Sequence, residues 1–207
     1  MNNTETEYKW NADGPRAFAR MRRLINTLAR VEKTENLHLH DYYLDDENHA
    51  LRAQKIALRL RQTGNRWEAT LKTRTEVKNG KAFRREYTLP LPEAHHFSHA
   101  LTLLKNKKSW QKVNLENLQV QFEILNKRQI FLLRFKDVLA EMALDNCEIR
   151  VAGRKVKMKE IELEFKKGRG ATLDLLSKEI SRAAQLPFQK MSKVFTAETL
   201  LGLWGKK

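Results

Sequence analysis

Apolar and polar positions alternate with the two-residue period of a β-strand in one segment of this chain after another. In "IALRLR", Ile56, Leu58 and Leu60 alternate with Ala57, Arg59 and Arg61. "WEATLK" sets Trp67, Ala69 and Leu71 against Glu68, Thr70 and Lys72, and Arg74 continues the polar row. "FRREYTL" puts Phe83, Tyr87 and Leu89 on one face and Arg84, Glu86 and Thr88 on the other, and Asn79-Gly80 marks the turn before it. "VQFEI", "QIFLLRF" and "AEMALD" follow, and "EIELEF" opposes Ile161, Leu163 and Phe165 to Glu160, Glu162 and Glu164 before Gly168 and Gly170 end the run. At the start, "ETEYKW" places Thr6, Tyr8 and Trp10 on one face and Glu5, Glu7 and Lys9 on the other.

Helical periodicity fills the gaps. Phe18, Met21, Leu24, Ile25 and Leu28 form a stripe after the Asp13-Gly14-Pro15 start signal, with Arg16, Arg20, Arg23 and Arg30 on the other face. A second helix is predicted from Pro92 to Lys105. A third runs from Ala171 to Leu186 with Leu173, Leu176, Ile180 and Ala184 inward, and a short one follows Ser192. No repeat or low-complexity linker interrupts the pattern. The expectation is a single α+β domain over residues 1–207, with about eight mostly antiparallel strands and helices packed outside.

Composition adds three constraints. A hydrophobic content of 41% supports a true core. Cys147 is alone, which excludes an internal disulfide framework and a cysteine-based zinc site. No apolar run is long enough for a membrane span, and the polar N-terminus lacks a secretory signal, so a cytoplasmic protein is expected. The 40 Lys+Arg against 25 Asp+Glu, a net +15, points to polyanionic partners.

Each charged row alone reads most simply as a solvated sheet face. Together they read differently, because rows of different sign stand on different strands, each with a regular apolar face behind it. Closing such a sheet into a barrel, apolar side against the helices, makes a polar lumen. Inward charges are costly unless they meet opposite charge or a ligand. Carboxylates there would hold Mg²⁺ or Mn²⁺, and Arg and Lys would neutralise phosphates.

These residues resemble the CYTH superfamily, the triphosphate tunnel metalloenzymes. "ETEYK" is similar to its Glu-x-Glu-x-Lys signature, and the likeness continues through "LRAQKIALRLR", "ATLKTR", "RREYTL", "EMALD" and "EIELEFKKG" to "MSK". The bacterial inorganic triphosphatases resemble it most, although the chain has no room for the CHAD domain that often follows there. The resemblance implies an eight-stranded antiparallel closed β-barrel, a tunnel open at both ends. Glu5, Glu7, Glu160, Glu162 and Glu164 match metal-binding positions, and Lys9 matches a lysine that holds or activates water. Arg52, Arg59, Arg61, Lys72, Arg84, Arg128 and Lys193 match basic positions that grip the triphosphate. Glu86, Glu141 and Asp145 match further tunnel acids. The chain departs from the family in three places. "MSKVFTAE" lacks an arginine-glycine pair, Thr88 replaces an acid, and "YYLDDENHALR" lacks an Asp-Thr-Pro turn.

The implied activity is divalent-metal-dependent hydrolysis of a linear triphosphate, inorganic tripolyphosphate first. Thiamine triphosphate hydrolysis and class IV adenylyl cyclase chemistry are alternatives within the tunnel. A non-enzymatic polyphosphate or RNA binder is the alternative of another class. The expected partner is a small-molecule triphosphate, with nucleic acid secondary, no membrane, and a monomer or homodimer. The arginines of the first helix, Arg16, Arg20, Arg23 and Arg30, are read as a solvated face, with an auxiliary nucleic-acid or acidic-partner surface as the alternative, and Trp67 and Phe165 as outer packing residues. Cys147 is read as a small hydrophobe, and His38, His40, His95 and His96 receive no catalytic role.

Overall fold

The computed structural model describes residues 2–73, 75–78, 80–107, 110 and 115–202. Its strands are β1 (Asn2–Asn11), β2 (Arg30–Asp45), β3 (Ala57–Thr63), β4 (Arg66–Lys72), β5 (Glu76–Lys78), β6 (Lys81–Pro90), β7 (Gln119–Phe135), β8 (Val138–Val151) and β9 (Arg154–Lys167). Its helices are α1 (Ala17–Leu28), α2 (Ala50–Ala53), α3 (Phe97–Lys105), α4 (Gly170–Ala184) and α5 (Lys193–Leu200).

Strands run in the order β1-β9-β8-β7-β2-β3-β4-β6, all antiparallel, and β6 pairs back to β1. The ring is therefore a closed eight-stranded barrel. The ninth strand, β5, continues β4 along the same edge of β6, with Lys72 opposite Glu86 and Glu76 opposite Phe83. Lys78 then faces Lys81 across a two-residue loop in which Gly80 has φ 76°, as a tight hairpin requires. Asn79 and Arg74 lie outside the described residues.

The expected count of eight strands holds, but two errors cancel within it. "VQFEI" and "QIFLLRF" are halves of one long strand, β7, and β2 went unpredicted. Its inward residues Leu37, Leu39, Asp41 and Tyr43 mix apolar with acidic, so neither face of β2 shows a uniform row. Arg30 opens β2 rather than lying on α1, and Arg16 is the N-cap of α1 with φ 64°. The predicted helix from Pro92 begins later, at Phe97, after an N-cap at His96.

The apolar faces point outward into helices. Met21 of α1 and Leu173 and Ile180 of α4 pack onto Trp10, Leu133, Met142, Ile161 and Leu163 of the strands, all fully buried. Each such side chain contributes about 1.5–3 kcal/mol by leaving water. Trp10 also donates its Nε1–H to Ser181 Oγ on α4 at 2.9 Å. A second cluster, including Leu58, Leu60, Trp67 and Leu104, lies between β3, β4 and α3. Gly168, at φ 110°, makes the β9–α4 turn where a Cβ would fall 2.2 Å from the Asp137 carbonyl, so only glycine fits.

A third cluster lies on the inner side. Tyr43, Phe122, Ile124, Cys147, Ile149 and Met158 share strand parity with the lumen residues and pack against Ala197, Val194 and Leu200 of α5. A tunnel open at both ends was expected; here α5 occupies this apolar end of the barrel. Its first turn, capped by Ser192 Oγ accepting from the Phe195 N–H at 3.1 Å, carries Lys193 toward the charged lumen.

Candidate active site

The charged rows face one another across a cavity of about 1070 Å³ lined by residues from the barrel strands, the α2 segment and the start of α5. Lys9, Arg59, Arg61, Lys72, Arg84, Arg128, Glu5, Glu86, Glu141, Glu162, Glu164, Arg52 and Lys193 all line it. Glu7, Asp145 and Glu160 stand behind that surface and are almost fully buried. β1 and β9 set the central geometry: Glu7 is opposite Glu164 and Lys9 is opposite Glu162.

Three clusters divide the lumen. In the first, Lys9 Nζ lies 2.6 Å from Glu162 Oε1 and 3.1 Å from Glu7 Oε1. Lys193 Nζ lies 2.6 Å from Asp145 Oδ2 and against Glu160 Oε1. Arg128 forks onto Asp145 with both donors at 2.6 Å and reaches Glu162 Oε2 at 2.6 Å. Burial opposes the charge on Lys9, but Glu162, Glu7 and Glu160 outweigh it and raise the ammonium pKa. Glu160 goes the other way. Burial pushes its carboxyl up to about 7, with Glu162 adding to the push, in spite of Lys193 and Lys9.

In the second cluster Arg84 bridges Glu5 and Glu86, its Nε lying 2.8 Å from Glu86 Oε1, and Lys72 Nζ lies 2.5 Å from the same oxygen. One carboxylate thus serves two cations. Burial, then the Arg84 and Arg59 charges, pushes Lys72 down to about 8. Burial raises Glu5 to about 7 despite Lys72 and Arg84. In the third, Lys166 joins Glu164 at 2.9 Å and Glu141 at 3.4 Å.

β2 and β3 supply a pair that no sequence pattern pointed out. Arg61 holds Asp41 bidentately at 2.6 and 2.7 Å, and Arg59 stands 3.8 Å away. Burial opposes the Asp41 charge, yet Arg61 and Arg59 lower its pKa overall. Asp41 lies on the strand the pattern missed, sharing its inward face with Leu39 and Tyr43, so no uniform row marked it. Lys166, one step beyond Glu164 in the same parity, was legible and overlooked. Arg52 lies apart from these clusters, on α2, with its Nε 3.5 Å from Glu198 on α5.

A divalent cation fits this donor set. Asp145, Glu160 and Glu162 each offer an oxygen, and these atoms lie within 4.8 Å of one another. Both Glu160 oxygens, Glu7 Oε1 and Glu5 Oε2 are buried without a hydrogen-bond partner in good geometry. Buried carboxylate oxygens short of donors suit a hard ion such as Mg²⁺ or Mn²⁺. Of the five expected ligands, Glu160 and Glu162 join Asp145, whereas Glu164 turns toward Lys166 and Glu5 toward Arg84. Among the described residues no histidine lines this cavity. Burial pushes the Cys147 thiol up to about 12, so it stays protonated in the inner apolar cluster.

The CYTH domain family model matches residues 3–195. An inorganic triphosphatase of Haemophilus influenzae is 33% identical over 134 residues, which is 65% of this chain and 38% of that protein. The chain thus matches well under half the length of that relative. Among solved structures, an adenylyl cyclase candidate from Hippeastrum, described as having a dominant triphosphatase activity, superposes with a TM-score of 0.69 at 17% identity. That match covers 94% of this chain and 95% of the other. The Mimivirus capping enzyme triphosphatase superposes at 0.59 with 12% identity, over 88% and 90%. These likenesses concern the fold. With the family model spanning nearly the whole length, and the paired charged rows of β1 and β9 inside a closed barrel, the chain belongs to the CYTH domain family.

Proposed function

We propose that this protein is a divalent-metal-dependent triphosphatase that hydrolyses a linear triphosphate, inorganic tripolyphosphate first, inside the barrel. One observation carries the reading: the lumen holds adjacent regions of opposite need. Around Glu160 and Glu5, burial pushes carboxyls up to about 7 in spite of the cations beside them, and oxygens of both lack a hydrogen-bond partner in good geometry. Around Lys72, Arg84 and Arg59, cations crowd one another enough to push Lys72 down to about 8. A metal–triphosphate complex satisfies both at once. The triphosphatase relative and the family membership support the same reading.

Asp145, Glu160 and Glu162, with Glu7 close by, would hold Mg²⁺ or Mn²⁺. When bound, the metal supplies positive charge to phosphate oxygens and lowers the cost of gathering so many carboxylates. The side chains divide the remaining work. Arg84 and Lys72 share Glu86 and can turn unused donors to phosphate. The Arg59 Nε is buried without a hydrogen-bond partner. Arg61 and Arg128 are held in place by Asp41 and Asp145, which orients their outer N–H groups at no further entropic cost. In the reaction a water oxygen bonds to a terminal phosphorus as the bridging P–O bond breaks, giving orthophosphate and pyrophosphate. The guanidinium and ammonium groups stabilise charge on the equatorial oxygens. Lys9, an ammonium beside Glu7 and Glu162, would hold that water, and would accept its proton only where a bound cation offsets those carboxylates and lowers its raised pKa.

A second substrate reading has its own observation. Leu37, Leu39 and Ile130 give the lumen an apolar wall next to Arg128, which favours a triphosphate bearing an organic group, such as thiamine triphosphate or a nucleotide. The test is phosphate release from tripolyphosphate, ATP, thiamine triphosphate and pyrophosphate, each with Mg²⁺ and with Mn²⁺. Tripolyphosphate should be cleaved fastest and pyrophosphate left intact. No release with either metal would sink the triphosphatase reading.

A further inference from the structure

The lumen does not account for the net charge of +15, because its cations and carboxylates largely pair off. Part of the excess is ordered on the outside. Lys155, Lys157 and Lys159 share one face of β9 and are all exposed; residues so placed stand about 6.7 Å apart. That face is the outer one, since Ile161 and Leu163 continue it under α1 and α4. Beyond the helices it is open.

Cross-strand register widens the ladder into a lattice. Lys159 is opposite Asn146, and Asn146 is opposite Lys127 on β7. The acids bordering this lattice are already engaged: Glu148, opposite Lys157, by Arg150 at 2.7 Å, Glu123, opposite Arg150, by His40 at 2.5 Å, and Asp13 by the Lys159 N–H at 2.7 Å. α1 borders the same area. Lys159 Nζ lies 5.9 Å from the Phe18 ring, and Arg22 donates to Gln129 on β7 at 3.0 Å. The exposed Arg22 and Arg23 extend the cationic surface over the helix.

We infer that this outer face of β7–β9 and α1 is a docking surface for single-stranded nucleic acid, held through its phosphates. Three features select that partner. Of the exposed large hydrophobic residues among those described, Val77, Leu175, Phe188 and Met191 lie outside these elements and Val120 lies at the far start of β7, and lysine is depleted from protein–protein interface cores. The surface bends around a barrel, which a flexible strand follows more cheaply than a stiff duplex. Neutral amides, Asn146 and Gln129, alternate with the cations and can bond sugars and base edges that inorganic polyphosphate lacks. This inference is independent of the chemistry in the lumen.

The test is anisotropy of a labelled oligouridylate of about 20 nucleotides, with EDTA present, between about 50 and 200 mM salt. The wild type should bind with a steep salt dependence. The Lys127→Gln/Lys155→Gln/Lys157→Gln variant should lower the log–log slope by about 2, at roughly 0.7 per lost phosphate contact, and bind at least tenfold more weakly at the lowest salt. Its tripolyphosphate release should match wild type. Unchanged affinity in the triple variant would overturn the inference, as would full displacement of the strand by tripolyphosphate, which would put it in the lumen. Polyphosphate that binds through these lysines where the oligonucleotide does not would overturn the nucleic-acid assignment.

Discussion

Lys193 Nζ lies 2.6 Å from Asp145 Oδ2, and through this contact the first turn of α5 is tied to the middle of β8. Asp145 has no exposed surface. Burial works against its charge, yet Arg128 and Lys193 hold its pKa at about 2. The pair fixes a helix and a carboxylate of the candidate metal trio with a single bond.

Removing Lys193 should therefore be expensive when no metal is present. Lys193→Ala in EDTA should cost about 3–5 kcal/mol, the usual result of stranding a buried charge. Asp145→Asn in the same background should recover part of that loss. Urea unfolding of the four proteins in the cycle gives the coupling energy, and strict additivity would show that the two residues act separately.

Glu162 contacts Lys9, Lys193 and Arg128, so it is the hub of the first cluster. Glu162→Gln keeps the volume and removes the anionic donor. Turnover of tripolyphosphate should fall by more than about a hundredfold, beyond what outer-sphere partners of a metal cost. The far-ultraviolet spectrum should not change. Wild-type turnover in this variant would exclude Glu162 from the metal site.

Lys9 separates two roles in one residue. Lys9→Ala should lower kcat far more than metal affinity, and activity should peak above neutral pH if the amine accepts a proton. Arginine cannot accept that proton, so Lys9→Arg should not restore the rate. Equal kcat for wild type and Lys9→Arg along the alkaline limb would reduce Lys9 to a fixed charge.

Metal and protons should compete. Glu5 and Glu160 have folded-state pKa values near 7, above the 4.5 of the unfolded chain. The native state therefore binds more protons than the unfolded one between those values. The contribution of these groups to metal-free stability is fully present below about 4.5 and is lost as pH rises through about 7. Mn²⁺ should consequently raise the melting temperature more at pH 8 than at pH 6. An equal increment at both would separate these carboxyls from metal binding.

The rows of β1 and β9 were legible because, over residues 5–10 and 160–165, charged residues hold one face and, Thr6 apart, apolar residues hold the other. β2 was not, because Leu37 and Leu39 share the lumen side with Asp41, and local alternation cannot assign a mixed face. α2, four residues long, leaves no periodic trace. Which carboxylate meets which cation was also hidden. Lys9 meets Glu162, and Asp145 meets both Arg128 and Lys193, because strand register and the entry of α5 decide it. Those are relations between distant parts of the chain, and no window of neighbouring residues contains them.

The pairing of β1 with both β6 and β9 has a consequence for the order of events during folding. Lys9 and Glu162 are 153 residues apart in sequence, yet their strands are neighbours. Strand β1 leaves the ribosome before β6 and β9, and its second edge stays uncovered until β9 has been made. Contacts so remote are slow to form, since the intervening chain loses its freedom before they repay it. The seam of the barrel and the heart of the lumen are the same place. A half-made chain thus holds its acidic row on an open strand edge, and the charged lumen is completed in the same step that seals the ring.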